Sequence, residues 1–114
     1  MIYLGGGKLV EVGYANEGKA EHSEDEIGEN TAAIRYVKSH HAVQKNMSSV
    51  EEAWEVAQRN NVPLIVDAAA EEDNQKYVKY SDLAIYSGSK AIEGDTTGIV
   101  GGKREYIEWL KVQL

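Results

Sequence analysis

The stretch that decides the fold is PLIVDAAAEEDNQKYVKYSDLAIYSGSK, residues 63–90. It contains two short apolar runs, one at 63–66 that stops at Asp67 and one at 83–86 that stops at Ser87. Continuous apolar runs of this length are typical of strands buried on both faces of a parallel sheet. The polar stretch between the two runs predicts a loop with a helical turn. We therefore expect two parallel strands of an α/β sheet here.

A further strand and a helix precede this stretch. Residues 32–37 (AAIRYV) form a short apolar run with β-branched and aromatic residues, which favours a strand. Ser48 offers an N-cap, and Glu51 three positions later completes a capping box, so we expect a helix over 49–60. One face of that helix is apolar, with residues spaced i, i+3, i+4 and i+7: Val50, Ala53, Trp54 and Ala57. The helix should end at two asparagines and a proline, Asn60, Asn61 and Pro63.

The two ends of the chain complete the predicted architecture. Residues 98–101 (GIVG) follow the 83–86 strand closely enough for an antiparallel return at the edge of the sheet. A final helix has one apolar face: Tyr106, Ile107, Leu110 and Leu114. Near the other end, 9–12 reads as a strand, and the acidic stretch 17–29 reads as a solvated loop or an exposed helical turn. We expect the strand at 32–37 to be an exposed sheet edge, covered by a second copy or by a rearranged N-terminus.

Composition narrows the functional classes. The 114 residues correspond to at most one domain, since domains run to roughly 100–200 residues. The chain has no cysteine, which argues against a disulfide-stapled domain, and its net charge of −7 makes nucleic acid an improbable partner for this segment. No apolar run approaches the ~20 residues of a membrane span, so we expect a cytoplasmic protein with no membrane partner. The amphipathic pattern still running at the last residues suggests a fragment of a longer protein.

Candidate chemistry gathers at the carboxyl ends of the three predicted parallel strands, where ligands bind in open α/β sheets. Residues 38–41 (KSHH) follow the first strand, Asp67 the second, and 87–90 (SGSK) the third. A lysine amine such as that of Lys90 can form an imine with pyridoxal phosphate, and a carboxylate can keep the pyridine nitrogen protonated. Ser87, in a glycine-containing turn, has a hydroxyl that can hold a phosphate.

These residues resemble a known family. Residues 66–71 (VDAAAE) and 85–94 (IYSGSKAIEG) are similar to the cofactor region of the selenocysteine synthase-like enzymes, which are fold-type I pyridoxal-phosphate enzymes. The return strand at 97–103 and the segment from Thr31 to His41 fit the same family. The pattern is closer to the D-glucosaminate-6-phosphate ammonia-lyase branch than to the selenium transferase that acts on seryl-tRNA.

The resemblance implies a role for each site residue. Lys90 would be the imine lysine, Asp67 the partner of the pyridinium nitrogen and Ser87 a phosphate contact. His40, or Ser39 beside it, would lie near the cofactor's phenolic oxygen or the substrate, and no metal site is implied. The implied reaction of the full-length enzyme is α,β-elimination on a small amino-bearing substrate, or a selenocysteine synthase-like transfer.

The resemblance also implies how this chain relates to the whole enzyme. Residues 1–114 would be part of the large domain, with 1–30 a peripheral segment and 31–114 the α/β core of the cofactor site. The family's earlier phosphate-binding loop and its small domain have no counterpart in these residues. We therefore expect a homo-oligomeric parent enzyme, and an isolated fragment that is inactive and holds no pyridoxal phosphate in a specific, saturable way.

Other readings of the sequence fit less well. A receiver-like signalling module also places an aspartate after a buried strand, but it needs an acidic pair after its first strand, and 9–12 leads only to Gly13 and Tyr14. A non-catalytic interaction domain stays open, and colour would separate it from a yellow cofactor enzyme. The glycine runs at 5–8 and 101–104 lack the serine or threonine of a phosphate-binding loop. The three histidines, His22, His40 and His41, lack partners at zinc-site spacing.

Overall fold

A computed structural model describes residues 6–10, 24–38, 48–69, 71, 74–88 and 98–113 of the chain. Strands and helices alternate, as the sequence predicts for an α/β domain. In chain order the elements are β1 (Ile34–Val37), α1 (Val50–Arg59), β2 (Leu64–Asp67), α2 (Asn74–Lys79), β3 (Leu83–Ser87), β4 (Gly98–Gly102) and α3 (Arg104–Gln113).

The four strands form one mixed sheet in the order β1-β2-β3-β4. The first three strands are parallel, and β4 returns antiparallel to β3. Both features are those predicted from the sequence. The register aligns Val37 with Asp67 and Asp67 with Ile85, so the last residues of the parallel strands lie in one row. The helices α1 and α2 are the crossovers that parallel pairing requires.

The helix α1 begins one residue later than the capping box predicts. Its N-cap is Ser49, whose hydroxyl accepts a hydrogen bond from the Glu52 N–H at 3.2 Å. The carbonyl of Ser48 instead accepts the hydroxyl of Tyr36 at 3.0 Å, which ties the start of α1 to β1. The prediction of Ser48 as N-cap is therefore wrong by one position. At the other end, Asn61 adopts the left-handed conformation expected there, with φ of 54°.

The hydrophobic core lies on one face of the sheet, which we call the core face. The strands contribute four buried side chains, and the helices α1 and α2 contribute three. These are Leu64, Val66, Ala84 and Tyr86 from the sheet, and Val50, Ala57 and Tyr77 from the helices. The alternate residues point to the opposite side, which we call the outer face, and they are half-buried or exposed: Arg35, Val37, Ile65, Asp67, Leu83, Ile85 and Ser87.

A buried carboxylate joins the strands at the amino end of β3. Asp82 is 3% exposed, and its Oδ2 accepts the N–H of Leu64 at 2.7 Å while its Oδ1 accepts Lys103 Nζ at 2.6 Å. Its backbone N–H donates to the carbonyl of Leu64, and its carbonyl accepts the N–H of Lys103, both at 2.9 Å. The hydrogen bond to Asp82 raises the pKa of Lys103. Asp82 therefore fixes the start of β2 and the end of β4 against the start of β3.

The described residues of the N-terminal third differ from their predictions. Leu9 and Val10 belong to no strand and are 40% and 53% exposed, while residues 11–12 lie outside the described ranges. Within the acidic stretch, Glu24 is not simply solvated. It accepts two hydrogen bonds from Arg59, at 2.8 and 2.6 Å, and one from Asn60 at 3.0 Å. The acidic segment is therefore anchored to the end of α1.

The last helix is only partly packed. Tyr106 and Ile107 are half-buried, as their spacing predicts, but Leu110 is 40% exposed and Leu114 lies outside the described residues. Trp109, at 70% exposure, lies away from the core. Among the described ranges, no helix combines the length and the apolar character needed to cross a membrane. Of the four strands described, β1 is at one edge of the sheet, and what covers that edge stays a prediction.

Substitution at the end of β4 tests the close contact with Asp82. A Cβ added at Gly102 would overlap the carbonyl group of Asp82, whereas one added at Gly101 would meet only Val78 Cγ2 at 3.5 Å, an ordinary contact. We expect Gly102→Ala to lower the free energy of unfolding by about 2 kcal/mol or more, as overpacked sites do. Gly101→Ala is the matched control and should change it by less than about 1 kcal/mol. If urea denaturation gave the same free energy of unfolding for the two variants, this would contradict the close contact.

The pH dependence of stability tests the anchor at Glu24. Its hydrogen bonds to Arg59 and Asn60 lower its pKa from 4.5 to about 2. Because the folded-state pKa is the lower one, the anchor stabilises the fold above pH 4.5, and this contribution disappears as the pH falls through about 2. The difference in unfolding free energy between wild type and Glu24→Gln should therefore shrink over this range, most clearly at low salt. A difference for Glu24→Gln that is flat with pH would refute the anchor.

Candidate functional site

The candidate site lies at the carboxyl ends of the parallel strands. Asp67 is the last residue of β2, the middle strand of the parallel trio, and it is flanked in the register by Val37 and Ile85. Ser87 lies two residues beyond Ile85 on β3 and shares the outer face with Asp67. Sheet geometry places the two Cα atoms about 8 Å apart. A carboxylate and a hydroxyl are thus brought together on one face, as the sequence predicts.

The carboxylate of Asp67 is held by a neighbour that the sequence reasoning did not identify. Arg35 Nη2 donates to Asp67 Oδ2 at 2.9 Å, and the Ala69 N–H donates to Oδ1 at a longer 3.3 Å. The side chains of Arg35 and Asp67 are 49% and 23% exposed, so the pair can be reached from solvent. Two carboxylate oxygens can accept about four hydrogen bonds, which leaves capacity for a further donor.

One signal in the sequence could have identified Arg35. In a strand, alternate residues face opposite sides, so Arg35 must lie on the face opposite Ile34 and Tyr36. The same rule places Asp67 opposite Val66 on the next strand. Only the register between the two strands, which sequence patterns do not give, shows that the two charged side chains meet.

A second feature at this end of the sheet is a polar cleft of about 180 Å³ on the core face. It lies between the end of β1, the start of α1 and the helix α2, and its polar lining residues are Tyr36, Lys38, Ser48, Ser49, Glu51 and Lys76. The backbone N–H of Lys38 donates to the carbonyl of Asp67 at 2.9 Å, but Lys38 itself lines this cleft. The expectation that the polar groups after all three strands share one crevice is therefore wrong for Lys38.

One ion pair lies within this cleft. Lys76 Nζ lies 3.2 Å from Glu51 Oε1. Burial raises the pKa of Tyr36, and the nearby carboxylates, Glu51 first, raise it further. A hydrogen bond from its own backbone N–H and the contact with Lys76 lower the pKa of Glu51, although burial opposes this. The cleft is a polar feature of the core face, distinct from the outer-face pair of Arg35 and Asp67.

Three of the predicted site residues lie outside the described residues. These are Ser39, His40 and Lys90, together with the neighbouring His41. The structure therefore brings together Asp67 and Ser87, and the position of Lys90 relative to them stays a prediction.

A sheet of three parallel strands with an antiparallel edge, with crossover helices on its core face, defines this chain as an α/β domain of the kind that fold-type I enzymes contain. A family model described as L-seryl-tRNA selenium transferase matches residues 1–114. The chain belongs to this family, which confirms the resemblance found in the sequence.

Three relatives show the breadth of the family. The chain is 50% identical to a D-glucosaminate-6-phosphate ammonia lyase of Salmonella typhimurium, over 98% of this chain and 31% of that protein. It is 37% identical to a 5'-C-glycyluridine monooxygenase-decarboxylase of a Streptomyces species, over 99% of this chain and 29% of that protein. It is 34% identical to an L-seryl-tRNA(Sec) selenium transferase of Haemophilus influenzae, over 90% of this chain and 26% of that protein.

The fold agrees with that of the first of these enzymes. A solved structure of D-glucosaminate-6-phosphate ammonia-lyase superposes with a TM-score of 0.88 at 50% identity, covering 98% of this chain and 31% of the other. The chain thus spans about a third or less of the length of each relative that it matches. The predicted α/β fold of the fold-type I class is confirmed.

Proposed function

We propose that this chain is the central part of the large domain of a pyridoxal-phosphate-dependent lyase, with 1–30 peripheral and 31–114 forming the core of the cofactor site. The proposed reaction of the parent enzyme, by which we mean the longer enzyme containing this chain, is α,β-elimination of the ammonia-lyase type on a small amino-bearing substrate. The observation that carries the reaction type is the 50% identity to an ammonia lyase over 98% of the chain. The placement of Asp67 supports the cofactor site.

The outer face fits the cofactor in its chemistry. A protonated pyridine nitrogen needs an anionic acceptor, and Asp67 offers a carboxylate that two donors already orient. Val37 and Ile85, which flank it, are apolar neighbours suited to the edge of an aromatic ring. When bound, pyridoxal phosphate supplies an electron sink for the bond that breaks at the substrate's α-carbon. The role of Asp67 is to hold the proton on the ring nitrogen.

The remaining residues have complementary proposed roles. The hydroxyl of Ser87 donates to the phosphate, at the end of the strand next to that of Asp67. Lys90, three residues later, would hold the cofactor covalently through its amine, and the same amine, once free, would accept the proton of the substrate's α-carbon. Ser39 or His40, after the end of β1, lies near the cofactor's phenolic oxygen or the substrate.

The second candidate is a selenocysteine synthase-like transfer, which the description of the family model favours. The net charge of −7 makes this segment a poor surface for the phosphates of a tRNA, and it therefore favours the lyase. The family match argues against the receiver-like alternative. We also propose that the parent enzyme is a homo-oligomer in which other segments complete the site.

Covalent trapping tests the proposed role of Lys90. When the parent enzyme with bound cofactor is reduced with borohydride and digested, we expect one labelled peptide per chain, with the label on Lys90. Lys90→Ala should remove both the label and the turnover, because it removes the amine proposed to bond to the cofactor. Lys111→Ala, at an exposed lysine of α3, is the matched control and should keep both. Unchanged turnover in Lys90→Ala would exclude the assignment.

The same treatment of the 114-residue chain alone should give weak labelling scattered over its lysines. Most of the phosphate contacts and the closure that excludes water would come from other segments, and an imine in open solvent hydrolyses readily. Stoichiometric labelling of Lys90 alone at micromolar cofactor would show that the site assembles within these residues, contrary to this expectation.

A further inference from the structure

We propose that Arg35 is a positioning residue for Asp67: its guanidinium holds Oδ2, so that Oδ1 is the oxygen presented to the cofactor's ring nitrogen. This inference rests on the proposed role of Asp67 under "Proposed function". Arg35 itself touches neither the cofactor nor the substrate in this account, and acts only through the carboxylate.

The sheet brings the two side chains together. Arg35 pairs with Ile65 across β1 and β2, and Asp67 lies two residues further along β2 on the same face. The resulting contact is diagonal, with 2.9 Å between Arg35 Nη2 and Asp67 Oδ2. The two residues are 32 positions apart in the chain, so the contact depends on the parallel register.

The two oxygens of Asp67 are held unequally. Oδ2 accepts a charge-assisted hydrogen bond from Arg35, whereas Oδ1 accepts only the Ala69 N–H at 3.3 Å, beyond the usual 2.7–3.2 Å range. A strong donor arriving from the carboxyl end of the sheet would therefore bind at Oδ1. The hydrogen bonds to both oxygens fix the plane of the carboxylate before the cofactor binds, which reduces the ordering that binding requires.

A purely structural role explains the pair less well. Its side chains are 49% and 23% exposed, and exposed ion pairs contribute little to folding stability. Val37 and Ile85 on either side of Asp67 offer no alternative hydrogen bond to its carboxylate. The loss of Arg35 should thus affect the orientation of Asp67 more than the stability of the sheet.

A titration with two forms of the cofactor separates positioning from structure. The parent enzyme and its Arg35→Gln variant are titrated with pyridoxal phosphate and with its deaza analogue, in which carbon replaces the ring nitrogen. We expect Arg35→Gln to weaken binding of pyridoxal phosphate by about tenfold, a typical coupling within a contact network, and to change binding of the analogue by less than about twofold. Arg35→Lys keeps the cation, so its affinity for pyridoxal phosphate should lie between those of the wild type and of Arg35→Gln. Arg104→Gln, at an exposed arginine of α3, is the matched control and should change neither affinity.

The other possible outcomes contradict either the proposed role of Asp67 or the inference about Arg35. If the wild-type enzyme binds both forms equally, or if Asp67→Ala keeps the preference for the nitrogen-containing form, the proposed role of Asp67 fails and this inference with it. If Asp67→Ala abolishes the preference but Arg35→Gln retains it in full, the inference about Arg35 alone is overturned. The inference is likewise overturned if Arg35→Gln weakens the binding of both forms of the cofactor equally. It is also overturned if both Arg35→Gln and Arg35→Lys lose the circular dichroism spectrum of the folded enzyme.

Discussion

The carboxylate of Asp82 is buried between strands, and its two oxygens accept from different partners, the N–H of Leu64 and the ammonium of Lys103. A buried carboxylate is costly unless such donors satisfy it, so the contact strongly favours one alignment of β2, β3 and β4. Strands rise by a fixed distance per residue, and a register set at one end is therefore set at the other. Asp67 and Ser87 owe their juxtaposition at the carboxyl ends to this alignment.

The two faces of the sheet differ in burial and in polarity. The core face buries aliphatic and aromatic side chains against α1 and α2, and the polar cleft on this face contains an ion pair of its own. The outer face carries Val37, Asp67 and Ile85 in one row, and the carboxylate of Asp67 is accessible to solvent. Polar groups at the end of a parallel strand can therefore lie on either face, as Lys38 and Asp67 do. The face on which a side chain lies depends on whether the residue occupies an odd or an even position along its strand.

The elements of the fold that were predictable are those encoded in short stretches. The apolar runs at 63–66 and 83–86 predicted β2 and β3, and the return strand at 98–101 predicted β4, because local composition determines strand formation. The sequence predicts Ser48 as the N-cap where the structure has Ser49, because each of the two serines is followed three positions later by a glutamate. The first helical residue is Val50, and this decides between them. The pairs Arg35–Asp67 and Asp82–Lys103 were not predictable, because each depends on a register between strands that are distant in sequence. Of the strand predicted at 9–12, the described residues Leu9 and Val10 belong to no strand.

In the proposed site, Asp67 faces the ring nitrogen of a cofactor that is bound to Lys90. The most direct measurement is a crystal structure of the parent enzyme with pyridoxal phosphate, reduced with borohydride to fix the bond. We expect continuous density from Lys90 to the cofactor, with Asp67 Oδ1 within hydrogen-bond distance of the ring nitrogen and Arg35 still on Oδ2. Density for the cofactor on a different lysine, or a ring nitrogen facing a residue other than Asp67, would contradict it.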